Sequence, residues 1–454
     1  MKEDHLSCEC TIMSTLKAIG SGLYPGVNSS TVTATKPNGR KNRIMVSIAA
    51  ATLAAMLVIA LCVLAFDSNE SPRHAMPSDA PGWLLETVDN SANSGWFTSI
   101  AVDSNDYAHI AYSNYPEGGG EDCLMYATNA GGTWAYETLN SDGAVGAYAS
   151  IALDSGDNVH ISYCNQTDGD LNYITNAEGI WENYTVDRQG STGAFSSIAV
   201  DVDDKAHISY YDGSAKTLNY ATNAGGTWAN QTVDGGGMLD VGQHTSIAVD
   251  ASKNVHISYY NVLAHDLMYA TNAGGSWTKL RLDGALSDVG VGTSIALDSN
   301  GKVHIGYYNA SAKDLKYATN ASGSWEIYTL DGAGYNVGLH SSIALDASDN
   351  VHICYSNESS GDLMYTTNAG GSWAIYVVDG PGWGWVGEYN SIAVDSNGCV
   401  HISYFDQINT ALMYATDSVV IPEFGTAGVV MVVMATVCML AVLRRASTSW
   451  YRER

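Results

Sequence analysis

Seven histidines recur 47 to 51 residues apart: His109, His160, His207, His256, His304, His352 and His401. Imidazole ligates transition metals and exchanges protons near neutral pH. Even spacing argues against both uses, because groups that hold the same place in successive repeats are spread apart and do not converge on one ion. The spacing predicts instead a hydrogen bond inside each repeat, to the Asp that closes the run before each His. Turns such as Asp298-Ser299-Asn300-Gly301 open like calcium loops but lack the later ligands and the distal Glu, so ordinary hairpin turns are expected. The eight cysteines contain no C-x-x-C pair, which excludes the usual zinc and redox motifs. Cys123 and Cys164 lie in adjacent repeats and are the one candidate disulfide. No metal and no cofactor is expected.

Carboxylates and aromatic rings are the other groups with chemical potential. Glycoside cleavage needs two carboxyl groups across an open pocket, and Asp240, Asp288 and Glu388 are the candidates. Asp240 and Asp288 stand in matching Asp-Val-Gly phrases of neighbouring repeats, which the repeat explains without catalysis. No catalytic residue is therefore assigned, and a glycosidase or lyase is carried as the alternative. Two positions before the Ser of each Ser-Ile-Ala run stand Phe97, Tyr148, Phe195, His244, Gly292, His340 and Tyr389. Trp96 and Tyr115 belong to the first repeat, Trp383 and Trp385 to the last. Rings stack on the apolar faces of sugars while short polar groups take the hydroxyls. The expected ligand-binding residues are Trp96, Phe97, Tyr115, Tyr148, His340, Trp383, Trp385 and Tyr389.

The elements that position these groups follow from one repeat. Trp228 opens a run that ends at Asp234, and Ser246 to Asp250 is a short strand. A tight turn leads to Val255-His256-Ile257-Ser258-Tyr259, which alternates apolar and polar. Leu267 to Thr271 is a further strand, and Asn272-Ala273-Gly274-Gly275 turns into Trp277. Four short strands repeated seven times predict an all-β fold, a seven-bladed β-propeller of four-stranded antiparallel blades over residues 83–417. The first run has the sequence of a last strand with no blade before it, and the final repeat lacks that strand. Residues 83 to 89 are thus expected to complete the seventh blade, bringing the Trp-rich loops of the first and last repeats together.

The phrase Thr128-Asn129-Ala130-Gly131-Gly132-Thr133-Trp134 resembles the Asp-box, or BNR repeat, of sialidase-type propellers. Asn129 stands where that box usually has Asp, and the phrase recurs around Asn223, Asn272, Asn320 and Asn368, and weakly around Asn176. The resemblance implies a turn between the third and fourth strands of a blade, whose polar side chain satisfies backbone groups and whose Trp packs between blades. It does not extend to sialidase chemistry. Sialidases grip a carboxylate with three arginines, and residues 83–417 contain only Arg188 and Arg281.

Charge and termini bear on surroundings. Residues 83–417 hold 9 Lys+Arg against 39 Asp+Glu, a net of −30. Such a field repels phosphate backbones, so nucleic acid is not expected as a partner. Residues 44–66 and 425–443 carry no charge, and each is long enough to cross a bilayer as a helix. Lys36, Arg40, Lys41 and Arg43 precede the first stretch, and Arg444 and Arg445 follow the second. By the positive-inside rule the flanks 1–43 and 444–454 stay cytoplasmic and the propeller faces outside, at the cell surface. Cleavage after Ala65, as a signal peptide, is the alternative to a retained anchor, and Met45 is an alternative start. Between the linkers 67–82 and 418–424, Ile421-Pro422-Glu423-Phe424 before the second stretch resembles the archaeal Pro-Glu-Phe sorting signal. Sequons at Asn69, Asn165, Asn183, Asn230, Asn309, Asn320 and Asn357 are candidate glycan acceptors in a secreted domain. The reading as a whole is a surface-anchored propeller that binds a glycan or a cell-envelope protein, with a ligand-free structural envelope protein as a further alternative.

Overall fold

The computed structural model describes residues 82–417, apart from 92, 116–121, 237–238, 333 and 381–383. The expected membrane stretches 44–66 and 425–443, the Pro-Glu-Phe segment and Trp383 lie outside the described residues. Every regular element among the described residues is a strand. The strands form seven separate four-stranded antiparallel sheets, the blades of a propeller. Blades one to six take four consecutive strands each. Blade one, for example, runs Ser94–Val102, Ala108–Asn114, Cys123–Thr128 and Ala135–Asn140 from axis to rim. Blade seven takes Val386–Val394, Val400–Asp406 and Ala411–Thr416, and its outer strand is Leu84–Asp89 from the other end of the chain. Leu84 pairs with Thr416 and Leu85 with Ala415, so the ring is closed by strand pairing as the sequence predicts.

Within a blade the second strand is the core. Ile257 and Tyr259 in blade four, like their six counterparts, are fully buried. Each core Tyr reaches out of its blade. Tyr112 donates to Asp89, Tyr210 to Asp187, Tyr259 to Asp234, Tyr307 to Asp283, Tyr355 to Asp331 and Tyr404 to Asp379, all at 2.7–2.8 Å. In these six the acceptor ends the outer strand of the preceding blade; the corresponding residue of blade one is Asn140, whose amide instead donates to the Tyr163 hydroxyl at 2.9 Å, while that hydroxyl donates to Asn183 of its own blade. Around the axis, the Ser of each Ser-Ile-Ala run accepts the Ile N–H of the next blade. These bonds measure 3.2 Å at all seven joints, including Ile100 to Ser391 between blades one and seven.

The inner strands differ from the sequence reading. In blade four the strand runs Val241–Val249, not from Ser246. Its first half is bulged, with register shifts at 241/243 and 243/246, and Gly242 has φ +105°. Bulged backbone breaks the period-two alternation by which strands are recognised, so this half reads as loop. Gly242 is required there on two counts. Its φ is disfavoured for side chains, and a Cβ would sit 2.6 Å from the Leu218 Cα of blade three. The expected disulfide is not formed: Cys123 and Cys164 are not bonded to each other, and the Cys164 thiol points at the Thr192 carbonyl, 3.6 Å away.

Candidate functional site

The two ends of the propeller are built from different chemistry. At the end carrying the first-to-second and third-to-fourth turns, each blade holds the same hydrogen-bonded set. Asn272 Oδ1 accepts the Val255 N–H at 2.7 Å, tying one turn to the other, and its counterparts do the same from Asn129 to Asn368. His207 Nδ1 lies 2.6 Å from the Tyr220 hydroxyl and its Nε2 3.2 Å from Asp201. The His–Asp distance stretches to 3.6 Å in blade four, 3.7 Å in blade five and 3.5 Å in blade six. Burial, the largest influence, lowers the pKa of His160, His207, His256, His304 and His352 against the pull of their Asp partners. A neutral ring fits both contacts, taking the Tyr proton at Nδ1 and offering Nε2–H to Asp. The same Tyr rings receive the repeat tryptophans of the neighbouring blade edge-on. Trp277 meets Tyr220 at 5.4 Å, and Trp83 meets Tyr365 at 5.3 Å across the closure. The histidines therefore fill the intra-blade role their spacing predicts, and among the described residues no three metal-ligating side chains converge.

At the opposite end the inner strands frame the channel mouth. A cavity of about 190 Å³ is lined by two residues from every blade: Phe97, Tyr148, Phe195, His244, Gly292, His340 and Tyr389, each with the residue that follows it. All seven are held at positive φ, between 51° and 60°. That conformation is unusual for aromatic residues. Six of the seven positions carry rings, and the six form a chain. The ring centroids lie 5.0 Å apart from His340 to Tyr389, 4.8 Å from Tyr389 to Phe97 and 4.7 Å from Phe97 to Tyr148. They continue at 4.7 Å to Phe195 and 4.5 Å to His244. The chain stops at Gly292.

One sector of this mouth is enlarged. Trp96 packs on Tyr115, Tyr389 and Phe405 at 5.0–5.3 Å, joining blade one to blade seven as ring closure predicts. The Trp96 indole N–H reaches Asn93 Oδ1 at 3.2 Å. Trp385 is 42% exposed on the same end, its carbonyl accepting the Gln407 N–H. The structure thus brings Trp96, Phe97, Tyr115, Tyr148, Tyr389 and His340 into one continuous set of rings, with Trp385 in the adjoining loop.

The carboxylate candidates are separated by their surroundings. Asp240 accepts the Tyr211 hydroxyl at 2.7 Å and pairs with Lys216 at 3.0 Å. Asp288 accepts the Tyr260 hydroxyl at 2.7 Å and lies 3.4 Å from His265 Nδ1. Both are the same inter-blade tie one blade apart, and blade six repeats it with Asn336 and Tyr308 at 2.6 Å. Glu388 is half-buried, and burial followed by the neighbouring Glu358 raises its pKa. Arg188 and Arg281 are exposed beside Asp170 and Asp266, and neither lines the mouth. A larger crevice, about 360 Å³, lies at the rim of blade one, but it is walled only by the consecutive residues 138–142. The mouth, where seven blades converge, is the stronger candidate.

No family model matches the chain, and no curated protein matches its sequence. Solved structures share the architecture. An ulvan lyase, a polysaccharide lyase, is 11% identical with a TM-score of 0.51, covering 72% of this chain and 93% of its own. AofleA from Arthrobotrys oligospora is 13% identical, covering 66% and 90%, with a TM-score of 0.46. The NanB sialidase of Streptococcus pneumoniae is 12% identical, covering 75% and 71%, with a TM-score of 0.41. The likeness is one of fold.

Proposed function

We propose that this chain is a surface-anchored, outward-facing propeller whose channel mouth binds a glycan. The observation that carries the reading is the aromatic sector where blade seven meets blade one, with Trp96 stacked against Tyr115, Tyr389 and Phe405 and Trp385 exposed beside it. Exposed rings beside short polar side chains match the alternating apolar faces and hydroxyls of sugars. A polysaccharide lyase built on the same fold is consistent with a saccharide ligand. The anchoring half of the reading is supported by the two uncharged stretches and their basic flanks. Binding without turnover is favoured over catalysis because Asp240 and Asp288 are each engaged by a Tyr hydroxyl and a basic side chain.

The test is binding of the full-length protein to an array of oligosaccharides, alongside a pull-down from envelope extracts. Trp96→Ala with Trp385→Ala is expected to weaken glycan binding at least tenfold, with a thermal melt showing that the variant is still folded at the assay temperature; Trp385→Ala alone, at an exposed ring, is expected to weaken binding with little change in the melt. Undiminished binding by the double variant would remove the site assignment. Capture of a protein with no glycan bound would replace the ligand class. Cleavage of an oligosaccharide, abolished by Glu388→Gln, would establish the enzyme reading instead.

A further inference from the structure

The glycine that interrupts the collar of rings is not there for the backbone. Gly292 has φ +60°, and its six counterparts hold Phe, Tyr or His at φ 51–55° in the same bulge. Nor does packing demand it. A Cβ at Gly292 would meet nothing nearer than the His340 backbone N at 3.6 Å, an ordinary contact. The contrast is with Gly290, two residues earlier, where a Cβ would lie 2.8 Å from the Leu267 Cα. One glycine is required by the fold, and the other leaves a place empty.

The empty place has the dimensions of one ring. Neighbouring centroids in the collar are 4.5–5.0 Å apart. On a seven-fold ring of that spacing, positions two steps apart are separated by roughly 8.5 Å, which leaves room for one further ring between them. His244 and His340 flank the gap, line the mouth and are half-buried. Neither imidazole makes a hydrogen bond to any described residue, although every other His of the propeller is bonded or ion-paired. Burial lowers both to about 4, so at neutral pH each presents one donor and one acceptor nitrogen. A sugar hydroxyl is likewise both donor and acceptor. None of the 14 lining residues is Lys or Arg, so nothing in the lining offers a counter-charge to a carboxylate or sulfate.

We propose that the vacancy at Gly292 is the primary subsite of the mouth and receives one ring of a neutral saccharide, whose hydroxyls bond the imidazole nitrogens of His244 and His340. This rests on the glycan reading above, but it sits at blade five, away from the Trp96 sector at the blade seven–blade one seam. The experiment uses the full-length protein and an array of neutral, uronic and sulfated oligosaccharides, followed by titration calorimetry with the best-bound probe. Gly292→Phe supplies the seventh ring on a backbone that already carries Phe at 97 and 195. It is expected to weaken binding at least tenfold, with the melting temperature lowered by no more than a few degrees, the cost of a side chain at positive φ. His244→Phe with His340→Phe keeps the rings but removes the four nitrogens, and a similar loss is expected. Unchanged affinity in both variants, with Trp96→Ala still weakening binding, would overturn the subsite and leave the glycan reading standing. A preference for uronic or sulfated probes would overturn the neutral class. No binding to any probe by the wild-type protein would end both.

Discussion

The turn-bearing end and the mouth-bearing end of this propeller obey opposite rules. At the first, seven blades place one set of side chains in one geometry, from the His–Tyr bond at 2.5–2.6 Å to the Trp packed on the neighbouring blade's Tyr. At the second, seven blades hold one backbone geometry, φ 51–60°, and mount Phe, Tyr, His or Gly on it. Where side chains and geometry both repeat, the residues serve closure of the ring. Where only the geometry repeats, the side chain is free to serve something else. The strained backbone of the mouth is maintained by the seven Ser-to-Ile N–H bonds just beneath it, which do not depend on what the collar residue is.

The sharpest way to break this comparison is to open the ring. Deleting residues 83–90 removes the outer strand of blade seven, the Trp83–Tyr365 contact and the Asp89 acceptor of Tyr112. The melting temperature is expected to fall by more than ~10 °C, since several kcal/mol of burial and bonding are lost together. Calorimetry of the truncated chain checks this, and an unchanged melt would mean that closure does not depend on that strand.

A smaller effect separates the two kinds of glycine. Gly242→Ala places a methyl group against the Leu218 backbone at a φ that opposes it, and about 2–5 kcal/mol of destabilisation is expected from strain and overpacking together. Gly292→Ala makes only an ordinary contact with the His340 backbone and bears the positive φ alone, so it is expected to cost about 1–2 kcal/mol. Denaturant melts of the two variants side by side measure the difference, and equal costs would erase the distinction between fold glycines and site glycines.

The smallest expected effect is a pH dependence that divides between the two ends. His244 and His340 are lowered to about 4 by burial, His244 further by His340 itself. A base whose pKa is depressed on folding takes up protons on unfolding. Its contribution to stability is therefore complete above the ordinary His value of 6.5 and is lost as the pH falls toward 4. His160, His207, His256, His304 and His352 at the turn-bearing end lose stability in the same direction, and the lowered Asp154, Asp201 and Asp250 add a loss only below the ordinary Asp value of 3.8. Melting temperature is expected to decline from pH 6.5 to 4. His244→Phe with His340→Phe should flatten part of that decline, leaving the slope that belongs to the lowered histidines of the turn-bearing end. An unaltered slope in that variant would place the whole effect at the turn-bearing end.

Much of the scaffold was legible because it is periodic. Alternation at Val255–Asn261 marks a strand, the Asn-Ala-Gly-Gly phrase marks a turn, and the lone run at Leu84–Asp89 marks the closure. Counting back from each Ser located the collar, including Phe97, Tyr148, His340 and Tyr389. The inner-strand bulges were hidden, because positive φ at Gly242 and His244 destroys the pattern that identifies a strand. The Tyr-to-Asp ties and the Ser-to-Ile bonds were hidden for another reason. Each joins blades whose residues are neighbours only after the chain has curved, so no local pattern records them.

The sequence by itself determined seven blades, their strand order and which positions repeat, because hydrophobic period and turn chemistry are local and act on a few residues at a time. Only the tertiary structure decided that Asp240 and Asp288 are tied down by tyrosines and that Trp96 packs on Phe405 as well as on Tyr389. It alone showed that a side chain would have space at Gly292 and would have none at Gly242. Those facts depend on distances between residues about 25 to about 310 positions apart, which closure of the ring fixes and the order of residues along the chain does not.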